Sequence, residues 1–344
     1  MLYVGMDVSS KSLVMHVIDE RKRVVARTQV EPSRRSLHRF VGELGEGRKL
    51  IAFEAGNQMK WIAEALKQEK LVDIHVVHPT YVKWIHQSSG KTDKVDAKKL
   101  AELARGDMLP RKVHIVEGKS RELRELVSAR TALMQKRVSL LNTLRGYLKQ
   151  EGVHLGEKFF AQEHWRSKLE ATKMSAPLRA IVGAFRSSIE ALTDSEQELQ
   201  ARLLAIKDER VELAQSVPSI GPLTSRVLVS GIDDATRFDG KKAVAKYGAL
   251  VPTVYQSGEK TQLGRISRDG RHEMRRVLLQ CAHTVMRMRT PGSQPLQAFY
   301  LRIERRRGKK RALVALARKL LTTVYGVLKS GEPYDPAKLA PYTA

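Results

Sequence analysis

Leu2-Tyr3-Val4-Gly5-Met6-Asp7-Val8 is followed, after only Ser9-Ser10-Lys11, by Ser12-Leu13-Val14-Met15-His16-Val17-Ile18. Both runs are apolar and β-favouring, so the pair reads as a β-hairpin. A third strand at 23 to 30 completes a meander. Pro32 and Ser33 then introduce a helix carrying Leu37, Phe40 and Val41. Leu50-Ile51-Ala52-Phe53 reads as a fourth, buried strand, and Trp61, Ile62, Ala65 and Leu66 follow it at helical spacing. Ile74-His75-Val76-Val77 is a fifth strand, closed by Pro79. Three antiparallel strands followed by alternating helix and strand predict an α/β domain with a mixed sheet.

Beyond this domain the periodicity becomes helical. Leu123, Leu126, Val127, Leu133, Met134, Leu141, Leu144 and Leu148 form a seam of threes and fours over 118 to 151. A second long helix, from 176 to about 214, carries Leu178, Ile181, Val182, Phe185, Ile189, Leu192, Leu199, Leu203 and Ile206. The two suit an antiparallel hairpin or a dimerisation arm. After residue 215 the chain reads as a helical region broken by Gly and Pro, with helices at 223 to 231, 241 to 248, 269 to 289 and 309 to 330. The expected division is 1–112, a long helical linker at 113–214, and 215–344.

Composition narrows the function. In 344 residues, 62 Lys and Arg face 37 Asp and Glu, a net charge of +25 that would repel itself without an anionic polymer. Apolar residues at 42% argue for a full core, while no apolar run approaches the roughly 18 residues needed to span a bilayer. The N-terminal stretch lacks the layout of a signal peptide, and the single Cys281 excludes an internal disulfide and a cysteine zinc cluster. Cytoplasmic localisation is expected. The ten histidines show no metal-ligand spacing with the acids, His272 and His283 read as helix residues, and there is no Gly-rich phosphate loop.

The carboxylates then stand out. Asp7 ends the first strand and Glu54 directly follows the fourth. Asp93 and Asp96, in Lys91-Thr92-Asp93-Lys94-Val95-Asp96-Ala97, lie three apart on one helix face. Four converging acids repel and raise one another's pKa unless a cation neutralises them, and the hard-oxygen set suits Mg²⁺ or Mn²⁺. A pair of such ions about 3.5–4 Å apart activates one oxygen and stabilises another across a scissile phosphate. Taken singly, Asp93 reads as a helix N-cap or N1 acid and Asp96 as a first-turn acid complementing the dipole. Their combination with Asp7 and Glu54 favours phosphodiester chemistry.

Gly5-Met6-Asp7-Val8-Ser9, Phe53-Glu54-Ala55-Gly56-Asn57 and Lys91-Thr92-Asp93-Lys94-Val95-Asp96-Ala97 resemble the motifs of the DEDD insertion-sequence transposases, and the resemblance runs over essentially the whole chain. It implies a RuvC-like N-terminal domain, a variant of the RNase H fold, whose four acids bind the catalytic metal. It also implies a mainly helical C-terminal transposase domain whose serine, in a Ser-Gly element, attacks DNA. In Tyr255-Gln256-Ser257-Gly258-Glu259-Lys260 that serine is Ser257. Read without the resemblance, Ser257 is a loop serine beside a turn glycine. Ser267 is its rival, placed to cap the helix expected at 269. The resemblance further implies a noncoding bridge RNA pairing with donor and target DNA, and a dimer, or a tetramer on synapsis, associated with the bacterial nucleoid.

Val217-Pro218-Ser219-Ile220-Gly221-Pro222-Leu223-Thr224 resembles the turn of a helix-hairpin-helix module, with Ser219 where a second Gly is usual. Gly221 and Thr224 would meet a phosphate at the start of the next helix. Further candidate nucleic-acid contacts are Lys260, Arg265, Arg268, Arg271, Arg275 and Arg276, and the nearly unbroken run Arg302, Arg305, Arg306, Arg307, Lys309, Lys310 and Arg311. Trp61, Trp84 and Trp165 read as core residues that could also stack on bases. Two competing functions remain at this point: a structure-selective nuclease using water as nucleophile, and an inert nucleic-acid-binding protein on the same fold.

Overall fold

A computed structural model describes residues 1–82, 93–156, 158–257, 260–267 and 269–342. Lys91, Thr92, Trp84, Gly258, Glu259 and Arg268, singled out above, lie outside the described residues. The chain divides into two units, Met1–Ile115 and Val116–Ala344.

The first unit is built on a five-stranded sheet in the order β3-β2-β1-β4-β5. Strands β1 (Leu2–Val8), β2 (Leu13–Asp19) and β3 (Val24–Val30) form the antiparallel meander. The next two, β4 (Lys49–Glu54) and β5 (Val72–Val77), run parallel to β1. Helix α1 (Arg34–Glu43) begins at Ser33, whose Oγ accepts the Ser36 N–H at 3.1 Å, and α2 (Met59–Lys67) joins β4 to β5. This is the mixed α/β sheet of a RuvC-like domain.

Strand alternation sorts the sheet into two faces. Val4, Met6, Leu13, Met15, Ile51, Phe53, Ile74 and Val76 form one core with Leu37, Phe40 and Val41 of α1 and Ile62 and Leu66 of α2. The intervening residues face helix α3 (Asp93–Arg105), whose Leu100 and Leu103 pack with Val77 and Val82. Gly5 is the point of closest approach. A Cβ there would lie 1.9 Å from the Ala97 carbonyl oxygen and 2.5 Å from the Ala101 nitrogen, so only glycine lets α3 lie on β1.

The second unit is mainly helical. Helices α4 (Gly118–Gln150) and α6 (Ala176–Ala205) form an antiparallel hairpin, with Arg130 beside Gln200, Arg137 beside Glu196 and Tyr147 against Phe185. Its distal end is closed by α5 (Trp165–Glu170), where Trp165 and Leu169 pack with Leu144, Leu148, Leu178 and Val182. Midway, buried Glu196 is held by Arg130 at 2.8 Å and Arg137 at 3.0 Å, while Leu133, Met134 and Leu141 of the expected seam are only partly buried.

The second long helix does not run on to 214. It ends at Ala205, and α7 (Glu209–Gln215) starts afresh, because Asp208 Oδ1 accepts the Arg210 N–H at 3.0 Å and caps a new helix. The remaining elements are α8 (Pro222–Ile232), α9 (Lys241–Tyr247), an antiparallel ribbon of β6 (Pro252–Ser257) and β7 (Lys260–Ile266), α10 (His272–Val285), α11 (Gln294–Arg307) and α12 (Lys309–Ser330). Their core gathers Val229, Ile232, Leu250, Leu278, Val285, Leu316, Leu320 and Val324. The ribbon, α5 and α11 are additional to the elements expected from sequence. Among the described residues no helix is long and apolar enough to cross a membrane.

Candidate active site and nucleic-acid interface

Met6 pairs with Phe53 across the parallel β1–β4 ladder, so Asp7 and Glu54 are the next residues on adjacent strands. They share the face of Gly5 and Ala52, which α3 covers. On α3, Asp93 is the first residue and exposed, whereas Asp96, in the first turn, is 6% exposed. Acids at this position complement the helix dipole. Among the described residues no three His, Cys, Asp or Glu side chains group closely enough to hold a metal ion. The fold thus brings Asp7 and Glu54 to neighbouring strand ends and sets Asp93 and Asp96 on the helix over that face, without drawing three of the acids around one point.

A supporting interaction has little trace in the sequence. Gln58 Nε2 donates to the Ser9 carbonyl at 2.6 Å, and Gln58 Oε1 accepts the Trp61 indole N–H at 3.2 Å. The first bond ties the chain leaving β4 to the chain leaving β1, just past Glu54 and Asp7, and the second fixes the Gln58 amide. The only signal is position, since Gln58 follows the Phe53-Glu54-Ala55-Gly56-Asn57 motif directly. His16, opposite Gly5 on β2, is buried on the α3 face, and burial with the nearby charges of Arg27 and Lys98 pulls its pKa down.

In the second unit, Ser257 ends β6 and pairs with Lys260 of β7. Ser267 is not a helix cap, since α10 starts five residues later at His272. Its Oγ instead accepts the Asp269 N–H at 2.9 Å and its backbone N–H donates to Val251. Arg275 is half-buried and donates to the Ala249 and Ser267 carbonyls, at 3.4 and 3.0 Å, which anchors the base of the ribbon. Arg271 is also half-buried, 3.7 Å from Glu273, and Arg276 is half-buried, whereas Arg265 is exposed. Trp61 and Trp165 both pack in cores.

The helix-hairpin-helix-like turn joins α7 to α8, with Gly221 as the residue preceding α8 and Thr224 in its first turn. The left-handed backbone falls on Ser219 (φ 70°), the position where such turns usually carry glycine. Arg302 and Arg305 to Arg307 occupy the last turns of α11, and Lys309 to Arg311 open α12 across Gly308 (φ 80°), all of them exposed. Three cations in the first turn of a helix oppose its dipole, an arrangement that favours an anion beside them. Lys319 adds to this ridge. Burial and then the charges of Lys241 and Arg302 lower its pKa, and both Lys319 and Arg302 lie over the Phe299 ring, at 5.6 and 5.7 Å.

Two family models match the chain in succession. The DEDD-type IS110 model, described as a transposase, matches residues 4–152, and that of the transposase IS116/IS110/IS902 family matches residues 211–300. Among the curated relatives, a transposase for insertion sequence element IS1111A from Coxiella burnetii is 26% identical over 96% of this chain and 90% of its own length. A probable family 20 transposase from Pseudomonas aeruginosa is 25% identical over 97% of this chain and 98% of its own. A pilin gene-inverting protein from Moraxella lacunata is 27% identical over 76% of this chain and 74% of its own.

Proposed function

Because the chain belongs to the DEDD-type insertion-sequence transposases, enzymes acting on DNA, we propose that it moves an insertion sequence by cutting and rejoining DNA through a covalent phosphoserine at Ser257, helped by a divalent-metal site of Asp7, Glu54, Asp93 and Asp96. The observation that carries this reading is the register of β1 with β4, which puts Asp7 and Glu54 on adjacent strand ends under the helix bearing the other two acids. The donors are all hard carboxylate oxygens, which suit Mg²⁺ or Mn²⁺. When bound, the metal supplies charge stabilisation at the phosphate. Asp7 and Glu54 would hold it from the sheet once Asp93 and Asp96 close on them from α3, while Gln58 ties the chain after β4 to the chain after β1.

Ser257 attacks a DNA phosphorus. Its Oγ–P bond forms as the bond from phosphorus to the leaving strand oxygen breaks; the hydroxyl gives up its proton and the leaving oxygen gains one. The phosphodiester energy is kept in the ester, so the reverse attack by a strand end rejoins DNA without ATP. The pilin gene-inverting relative supports recombination over simple hydrolysis. Sequence choice falls to a bridge RNA, with the cationic run from Arg302 to Arg311 holding duplex backbone, a division of labour in which pairing reads sequence and protein reads shape. Assembly is as a dimer, or a tetramer when donor and target are synapsed, with the α4–α6 hairpin as the contact surface.

The acids belong to the first unit and Ser257 to the second, which permits a test by complementation. Asp7→Asn and Ser257→Ala proteins are each expected to be inactive in cleavage and adduct trapping, while still binding nucleic acid. If one assembly combines the two sites in trans, mixing the variants restores part of the cleavage. Strand cutting by Ser257→Ala alone would replace this reading with a water-using nuclease, and near-normal recombination by Asp7→Asn in Mg²⁺ would remove the metal site.

A further inference from the structure

The β6–β7 ribbon exposes large apolar side chains on both of its sides. Val254 (57% exposed) and Leu263 (66%) are cross-strand partners on one side, and Tyr255 (64%) stands on the other, opposite Gln262. Among the described residues nothing covers these side chains, and a two-stranded ribbon exposed in this way is marginally stable in water, so they call for a partner. The base is well anchored: Ile266 packs against the helical core, and the Ser267 N–H donates to Val251 at 2.8 Å. The Tyr255 ring lies over Gly264. Gly264 leaves room for its ring, since a Cβ there would lie 2.7 Å from ring carbon Cε2 and 2.3 Å from Thr253 Oγ1. Thr253 Oγ1 in turn donates to the Arg265 carbonyl at 3.0 Å.

Tyr255 precedes Ser257 by two residues on β6. Lys260 pairs with position 257, Arg265 is exposed at the other end of β7, and the chain as a whole carries +25, so the cations of the ribbon complement a polyanion. The major groove, about 12 Å wide, admits a two-stranded ribbon, and an aromatic side chain stacks on any base. From these observations we propose that the β6–β7 ribbon docks on DNA and that Tyr255 stacks on a base beside the phosphate attacked at Ser257. Tyr255 is then a positioning residue, acting through the strand it holds. The location of attack rests on the Ser257 reading above, whereas the docking does not.

The test uses the full chain carrying Ser257→Ala, with a short DNA duplex containing a central unpaired 2-aminopurine as probe. Binding should quench the 2-aminopurine fluorescence. Adding Tyr255→Phe should preserve both quenching and affinity. Adding Tyr255→Ala should abolish the quenching and weaken binding roughly ten-fold, a typical effect of losing one base–aromatic stack. Gly264→Ala, which pushes on the ring without deleting it, should reduce the quenching as well. Parent-like binding and quenching by Tyr255→Ala would overturn the proposal, as would a Tyr255→Phe variant as defective as Tyr255→Ala. A Tyr255-dependent change in particle mass without DNA would overturn it in favour of a second copy of the chain. Covalent adduct formation by Ser257→Ala would instead remove the nucleophile reading and leave the stacking result standing.

Discussion

Gly5→Ala tests whether the seating of α3 on β1 sets the catalytic geometry. The new methyl would lie 1.9 Å from the Ala97 carbonyl oxygen, 2.5 Å from the Ala101 nitrogen and 2.9 Å from Leu100 Cβ. The two nearest atoms are backbone, so no rotamer change relieves the clash. To reach ordinary contact near 3.4 Å the helix must back away by about 1.5 Å. Asp93 and Asp96 ride on that helix, while Asp7 and Glu54 stay on the strands. Overpacking of this kind costs about 1–3 kcal/mol, and a misplacement of about 1 Å at a reacting centre costs on the order of 100-fold in rate. The expected result is a folded protein whose first unit melts at least about 4 °C lower and whose metal-dependent cleavage falls about 100-fold, with binding to nucleic acid retained. Gly42→Ala is the matched control, because a Cβ at Gly42 meets nothing within 4 Å. Cleavage by Gly5→Ala at the rate of the Gly42→Ala protein would refute the idea that α3 positions the acids.

Replacing both Arg306 and Arg307 with Ala should weaken DNA binding without sequence preference and flatten the log–log salt dependence by about 0.9 for each phosphate no longer neutralised; an unchanged slope would mean that this exposed run meets no phosphate. His16 has a depressed folded pKa, so the stability linked to its neutrality is complete above its ordinary value of 6.5 and drains away as pH falls from there toward the folded pKa. Denaturant titrations should therefore show stability falling below that pH, with a shallower fall in His16→Gln; parallel profiles for the two proteins would place the titration elsewhere. Ser219→Gly relieves a left-handed φ of 70° and removes a buried hydroxyl that has no hydrogen-bond partner among the described residues, so the second unit should gain about 1 kcal/mol. A lower unfolding midpoint in that variant would show that Ser219 does something the turn needs.

The first unit is legible because β1, β2, β4 and β5 are buried, so runs such as Leu13–Ile18 and Ile51–Phe53 stay apolar and β-favouring in the sequence. The ribbon β6–β7 is not, because Val254, Tyr255 and Leu263 leave apolar groups on both sides and nothing buried sets a period. In α11 only Leu296 and Tyr300 are buried, and the dense run of Arg and Glu from Arg302 to Arg307 hides the helical spacing. The break between α6 and α7 does carry a local signal, since Asp208-Glu209-Arg210 is a cap followed by a first-turn acid, but the apolar spacing from Leu199 to Ile206 speaks for continuity. Gly5 reads in sequence as one more strand residue. Its importance follows from what packs on it, and α3 lies almost ninety residues further along the chain.

The arginines show why charge alone locates a nucleic-acid surface poorly. Arg124 donates to the Ser230 and Gly231 carbonyls at the end of α8, Arg226 to those of Leu204, Ile206 and Pro222, and Arg237 to those of Ile232 and Gly231. Each of these cations satisfies carbonyl oxygens left over where a helix ends or a loop is buried. Arg275 belongs with them, although in the sequence it stands among the residues of a basic cluster. A guanidinium committed to internal carbonyls releases no counterion when DNA binds, so it adds to stability and nothing to the salt slope. Arg305 to Arg307 and Lys309 to Arg311 stay out in solvent instead, and three of them sit at a helix N-terminus where the dipole opposes them. A polyanion bound there would offset that opposition and lower the energy of the fold itself.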